Sequence, residues 1–321
     1  MNATPPPSSS PSTPRTLKDY AYIAGSGAAM GAADVVPGVS GGTMAFILGI
    51  YEELLDTIKS FNLEFIRKVL TLKWVDAYQH VNGNFLVSLV LGLAVSILSL
   101  ARVVTWLYEE HPEFLFAFFF GLVLGSIVVI GRHISWGAKT GVAVVLGTLI
   151  AYLIVTLVPV DMPSDPFTLL WCGAIAITAM ILPGISGSFI LLILGQYHTV
   201  MQAVKGLDII TLIPFAVGAA GGLMIFSRIL SFLLKRFHQV IISFLVGFMI
   251  GSLWKIWPFR RVVLEDPETG KLIQDTVTFP GWGATELWLC AGLAVAGFLL
   301  VASLERLQQK LSGGAIRTLG G

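Results

Sequence analysis

The sequence predicts an all-α polytopic integral membrane protein, built as an inverted-topology repeat with two re-entrant or broken helix hairpins. Three observations predict this: the composition, the spacing of charge-free windows, and a duplicated Pro-Gly break. Of 321 residues, 55% are hydrophobic and only 12% are charged. Mean hydropathy is +0.82. Soluble domains carry about 25% charged residues. A net charge of +1 gives no reason to expect a nucleic-acid partner. Cys172 and Cys290 sit inside apolar stretches, so no disulfide framework is expected.

Residues 1–16 are rich in Pro and Ser and read as a disordered N-terminal tail, without the basic start and short apolar core of a signal peptide. Beyond them, windows free of Asp, Glu, Lys and Arg run 20–33, 35–51, 81–101, 114–131, 140–160, 166–204, 209–227, 239–254 and 287–304. A crossing needs about 20 apolar residues. The windows 81–101, 114–131, 140–160, 209–227, 239–254 and 287–304 each fit one crossing.

The windows around Pro37-Gly38-Val39-Ser40-Gly41-Gly42 and Pro183-Gly184-Ile185-Ser186-Gly187-Ser188 are each split by helix breakers. Irregular backbone is tolerated at membrane depth only where protein or a water-filled cavity satisfies it. Each is therefore predicted to form two short helices around a break.

Residues 33–55 match 179–201 at nine positions, among them Pro37/Pro183, Ser40/Ser186, Gly49/Gly195 and Tyr51/Tyr197. Residues 92–126 match 218–252 at eight, among them Gly92/Gly218, Arg102/Arg228, Gly121/Gly247 and Ser126/Ser252. The two offsets, 146 and 126, differ by 20 residues, which places an insertion around Asn62–Asn82 of the first copy. The domain reading is a repeat over 17–131, a linker with one transmembrane helix over 132–165, and a second repeat over 166–254. An extramembrane loop covers 255–283, and a last transmembrane helix with its tail covers 284–321.

Three crossings separate the two breaks, and an odd number inverts the second copy relative to the first. Basic residues Arg15, Lys18, Lys59, Arg67, Lys68, Lys73, Arg132, Lys139, Lys235, Arg236 and Arg306 fall on one side, which places both termini in the cytoplasm. The loop 255–283 is the exception, lying outside with Lys255, Arg260, Arg261 and Lys271.

Matched broken helices in two halves point to a transporter's binding site. A helix restarting after each break presents free N–H groups and the positive end of its dipole. Ser40, Thr43, Ser186 and Ser188 add hydroxyls, and Gly38, Gly41, Gly42, Gly184 and Gly187 allow close approach, which together suit an anion, phosphate above all. Small residues also allow close helix packing in membranes. Arg102 and Arg228 sit at the ends of long apolar runs. An intramembrane arginine commonly marks a pathway, although snorkelling to the interface is the plainer alternative. Asp34, Glu52 and His198 are candidates for proton coupling or gating, with a salt bridge from a carboxylate to Arg102 or Arg228 as the other option. No metal, cofactor or catalytic group is expected.

The stretches ADVVPGVSGGTMAFILGIYEELL and MILPGISGSFILLILGQYHTVM resemble the PopT-type polyprenyl-phosphate transporters. The resemblance implies a flippase-like transporter that returns undecaprenyl phosphate, or a related polyprenyl phosphate, across the cell's inner (cytoplasmic) membrane for lipid-carrier recycling. It carries over onto Asp34, Pro37, Gly38, Ser40, Gly41 and Gly42, and onto Pro183, Gly184, Ser186, Gly187 and Ser188. The implied partners are the lipid, the membrane and protons as a coupling ion, with oligomeric state open. Two alternatives share the same features. One is a transporter or channel for a small anion. The other is an intramembrane serine hydrolase, since GVSG and GISG have the GxSG form, but that chemistry needs a base beside the serine.

Overall fold

A computed structural model describes residues 15–35, 40–157, 160, 162–265, 272–279 and 285–311. Pro37 and Gly38, the tail over 1–14 and the residues after 311 lie outside the described residues. The helices are α1 (Leu17–Val35), α2 (Gly41–Ile47), α3 (Tyr51–Ser60), α4 (Leu63–Leu70), α5 (Trp74–His80), α6 (Gly83–Glu110) and α7 (Pro112–Gly131). They continue with α8 (Ala138–Val155), α9 (Pro166–Ile181), α10 (Gly187–Ile193), α11 (Tyr197–Gly206), α12 (Ile209–Ser252) and α13 (Thr285–Leu311). The chain is an all-α membrane protein, apart, among the described residues, from one antiparallel pair, β1 (Arg260–Glu265) and β2 (Leu272–Val277), with Arg260 opposite Val277. This hairpin falls within the loop 255–283, where polar, β-branched sequence replaces the apolar helical runs.

Among the described residues, α6, α7, α8, α12 and α13 are long and apolar enough to cross a membrane. Helix α12 runs for 44 residues. Straight, it would measure about 66 Å, more than twice a ~30 Å hydrocarbon core. It is instead broken at Phe237 (φ −132°, ψ 43°), which divides it into arms over 209–236 and 238–252. The windows 209–227 and 239–254 therefore fall on two arms joined by one residue. His111, between α6 and α7, has the same conformation (φ −141°, ψ 54°). His111 and Phe237 are opposite one another in the alignment of 92–126 with 218–252.

The two motif regions also fold alike. Helices α2 and α10 are both 7 residues long, and α3 and α11 both 10. Between them, Gly49 and Gly195 each take φ 68°, a left-handed turn that glycine adopts without a Cβ clash. The predicted insertion folds as α4 and α5. Asn62 caps α4 by accepting the Phe65 N–H at 3.0 Å. Leu63, Ile66 and Leu70 form one exposed apolar face of α4, while Glu64 and Lys68 pair at 2.9 Å on another. Such a helix suits the plane of a membrane interface.

Asp165 and Asp208 cap the starts of α9 and α12. Hydrogen bonds from Thr168 and Thr211 hold their carboxyls below the usual carboxylate range.

Long helices meet in four pairs: α1 with α6, α9 with the first arm of α12, α8 with its second arm, and α7 with α13. Each seam is closed by a glycine on both helices. Gly27 abuts Leu89 and Gly92 abuts Ala24; Gly173 abuts Phe215 and Gly218 abuts Leu170. Gly147 abuts Phe244 and Gly247 abuts Val144; Gly297 abuts Phe118 and Gly121 abuts Ala294. The facing atoms are backbone carbonyls, which cannot step aside as a flexible side chain would. With no water to expel between lipid-soluble helices, close packing of small residues holds them together.

Alanine at Gly92, Gly121, Gly218 or Gly247 is expected to lower the thermal midpoint of the purified protein through overpacking of about 1–3 kcal/mol. Alanine at Gly25 or Gly141, where a Cβ meets nothing within 4 Å, is expected to leave it unchanged. Thermal unfolding in detergent, followed by fluorescence, compares the two sets.

Candidate substrate site

A helix broken inside an apolar bundle leaves carbonyls and N–H groups without partners. At the end of α9, the exposed carbonyls are those of Met180 and Ile181. The first motif supplies their partners. The Ser40 hydroxyl donates to Met180 O at 3.1 Å, and the Tyr51 hydroxyl donates to Ile181 O at 3.0 Å. In return, the Gly184 N–H donates to Thr43 Oγ1 at 2.8 Å. Gly42 packs directly on the Met180 and Ile181 carbonyls. The two breaks are thus locked into each other.

Further hydrogen bonds form within each motif region among the described residues. Ser40 Oγ accepts the Gly42 N–H at 3.1 Å, capping α2. The Asp34 carboxylate accepts the Gly41 N–H at 2.7 Å. Met180, the counterpart of Asp34, offers only its main-chain carbonyl, to Ser40. Ser186 and Ser188 share a hydrogen bond at 2.6 Å. Gly184 takes φ +102°, with the Ser252 hydroxyl against its α-carbon, a position closed to any side chain. Pro183, Ser186 and Gly187 are buried, as are Ser40 and Thr43, both 1% exposed.

Ser40 and Ser186 have main-chain and serine partners and no histidine partner among the described residues. Among the described residues Asp34 and Glu52 make no ion pair to Arg102 or Arg228. Glu52 instead meets His238 Nε2 at 3.0 Å, and Glu53 meets Arg15 at 2.6 Å. The physical reason is placement: Asp34 lies at the break beside Gly41, while Glu52 and Glu53 lie in the first turn of α3, within reach of His238 and Arg15. His198 is exposed at the start of α11, with Tyr197 edge-on to its ring.

Arg102 is exposed on α6, without a hydrogen bond or ion pair among the described residues. Arg228 donates through one guanidinium nitrogen to Met224 O, in its own helix, at 2.9 Å. It lines an open polar cleft of ≈ 280 Å³ with Asp56, Lys59, Ser60, Asn62 and Lys235.

Residues 30–271 match a family profile described as undecaprenyl phosphate translocase-like, VCA0040-like. The chain belongs to this family. It is 41% identical over 298 residues to a "Polyprenyl-phosphate transporter" of Vibrio cholerae serotype O1, covering 88% of this chain and 96% of that protein. It is 31% identical over 253 residues to a "Polyprenyl-phosphate transporter" of Staphylococcus aureus, covering 72% of this chain and 84% of that protein. No solved structure matches the chain.

Sequence reasoning singled out the two breaks and Arg228. It passed over Tyr51 as a mere match, although a tyrosine conserved in both copies beside a break was a usable signal. It missed Asp56, whose hydrogen-bond partners Ser231 and Lys235 are far away in the chain.

Thr43→Val is expected to leave the buried Gly184 N–H unpaired, at a cost of about 1–3 kcal/mol. Thr43→Ser keeps the acceptor and is expected to retain most of that stability. Tyr51→Phe should show a loss of the same order at Ile181 O. The measurement is the thermal midpoint of each variant in one detergent.

Proposed function

We propose that this chain carries a polyprenyl phosphate across the cytoplasmic membrane, without an enzymatic step. The observation that carries the reading is the pair of broken hairpins joined by Ser40, Thr43 and Tyr51 within an apolar bundle, in a member of a translocase-like family. The names of the two relatives supply the ligand class. Undecaprenyl phosphate is the specific lipid we favour, moved back toward the cytoplasmic leaflet for reuse.

The physical problem is the phosphate alone. A prenyl tail is soluble in the bilayer, whereas an isolated ion in a medium of ε ≈ 4 costs tens of kcal/mol on a Born estimate, roughly. Hydroxyls and N–H groups at the breaks are suited to replace lost water. In the described conformation they hold one another. As the hairpins part, Ser40, Thr43, Ser186 and Ser188 would exchange those partners for phosphate oxygens, with the small or ring-closed residues Pro37, Gly38, Gly41, Gly42, Pro183, Gly184 and Gly187 of the two motifs admitting them closely. Arg228 and Arg102 would receive the phosphate at opposite mouths.

We read the chain as two inverted copies. Support comes from the equal lengths of α2 and α10 and of α3 and α11, the matched joints at His111 and Phe237, and the matched glycine seams. Helices α8 and α13 would then close each copy, and each packs on the other copy's penultimate helix. Both termini would be cytoplasmic, on the side of Arg15, Lys59 and Lys235.

Asp34 is the proton-coupling residue we favour, since it touches the break and has no counterpart carboxylate. Glu52, bound to His238, and the exposed His198 are further from it.

The test is reconstitution in liposomes with a labelled polyprenyl phosphate, reading its transfer between leaflets. Arg102→Ala and Arg228→Ala, inserted at wild-type abundance, are each expected to slow transfer at least tenfold. Full transfer in both would overturn the mechanism. Preferred transfer of free phosphate over the lipid would favour a small-anion transporter. Asp34→Asn keeps an acceptor for Gly41 but cannot titrate, and is expected to remove the response of transfer to a pH gradient. An unchanged response would remove Asp34 from that role.

A further inference from the structure

The cleft beside Arg228 carries chemistry that the two breaks do not account for. It is formed where the end of α3 meets the first arm of α12. Three cations line it, Lys59, Arg228 and Lys235, together with Ser60 and Asn62. Among the described residues a single carboxylate, Asp56, lines the cleft with them. Asp56 accepts from Lys235 Nζ at 3.1 and 3.0 Å and from the Ser231 hydroxyl at 2.9 Å. Lys59 lies 3.9 Å from the same carboxylate, beyond hydrogen-bond reach.

Three positive charges against one negative leave the cleft strongly cationic, and its donors are only partly used. Arg228 gives one nitrogen to Met224 O. A guanidinium has five N–H donors in a fork that matches phosphate oxygens. A phosphomonoester brings a charge of about −1.5 to −2 and three acceptor oxygens, which balances the surplus. At ≈ 280 Å³ the cleft is many times the ~30 Å³ share of one liquid water.

The surroundings favour a phosphate attached to a lipid. On α12, Ile225 and Phe232 lie on the same helical stripe as Arg228 and Lys235, and both are 62% exposed. Across the cleft, Asn62 leads directly into the exposed apolar face of Leu63, Ile66 and Leu70 on α4. A headgroup in the cleft would leave its chain free to lie along these side chains in the bilayer.

We propose that this cleft is a docking site for the phosphate of a prenyl phosphate, contacted by Lys59, Arg228 and Lys235, with Asp56 as a built-in counter-anion that the phosphate displaces from the lysines. The assignment rests on the transport reading for the identity of the lipid. Its own content is the site and the competition. Removing Asp56 takes away a competitor and tightens binding, whereas a merely structural Asp56 would not.

The test measures equilibrium binding to the full chain in detergent. Three probes are used: a fluorescent short-chain prenyl phosphate, the matching prenyl alcohol and inorganic phosphate. Prenyl phosphate is expected to bind, and the alcohol at least tenfold more weakly. Lys59→Gln and Lys235→Gln should each weaken prenyl phosphate binding about tenfold, and Asp56→Asn should tighten it several-fold. Among the described residues Lys59 has only the 3.9 Å contact, so its variant tests the site even where Asp56→Asn lowers the thermal midpoint. Unchanged affinity in Lys59→Gln, or weaker affinity in a stably folded Asp56→Asn, overturns the proposal. Inorganic phosphate binding as tightly as prenyl phosphate overturns the lipid assignment. A wild-type chain that binds in the cleft yet moves no lipid would remove the transport reading and leave the docking site standing.

Discussion

The structure depends on one constraint: backbone exposed by a broken helix must find partners where there is no water. Two breaks in one bundle double that demand, and the chain meets it by setting the breaks against each other. Met180 O and Ile181 O are covered by Ser40 and Tyr51, and the Gly184 N–H is covered by Thr43. An unpaired buried amide or carbonyl costs about 1–3 kcal/mol, so three such bonds are a large part of a marginal stability. The same bonds join residues some 130 to 141 positions apart. Any motion that opens a path between the hairpins has to break them, and a ligand with several acceptor oxygens is suited to take up the donors this frees, the Ser40 and Tyr51 hydroxyls and the Gly184 N–H.

The remaining architecture holds the hairpins while leaving them separable. Reciprocal glycines fasten α1 to α6 and α9 to the first arm of α12, so each hairpin rides on its own long helix. The seams of α7 with α13 and of α8 with the second arm of α12 tie the halves of the chain together. The sharp joints at His111 and Phe237 separate the two groups of seams. This division suits a bundle in which one pair rocks against another. Asp34, which caps Gly41 in one hairpin only, makes the two sides chemically unequal.

Much of this was legible in the sequence for a physical reason. Charge-free windows report lipid contact directly, and Pro-Gly within them reports a break, because few other sequences survive there. The glycines matched at Gly92/Gly218 and Gly121/Gly247 fall at corresponding seams, since only glycine permits carbonyl contact. Other features depend on three dimensions. Of the motif hydroxyls read as facing a ligand, Ser40 and Thr43 are engaged with the opposite hairpin, and no pattern within one motif reveals that. Asp56 and Lys235 are ordinary helix-end charges until folding brings them together across 179 positions. The one-residue joint at Phe237 was hidden because the apolar windows on either side end at charged residues, as a loop would. The β1–β2 hairpin is short, and its strands carry charged residues that mask their alternation.

The central claim is that the two hairpins must part for lipid phosphate to cross. The most direct measurement bridges them with a short, cleavable thiol cross-linker between Ser40→Cys and Met180→Cys, in a chain whose Cys172 and Cys290 are replaced by alanine, and follows leaflet transfer of labelled polyprenyl phosphate in liposomes. The account predicts that transfer stops on bridging and returns when the bridge is cleaved. Transfer at the full rate in the bridged protein would contradict it.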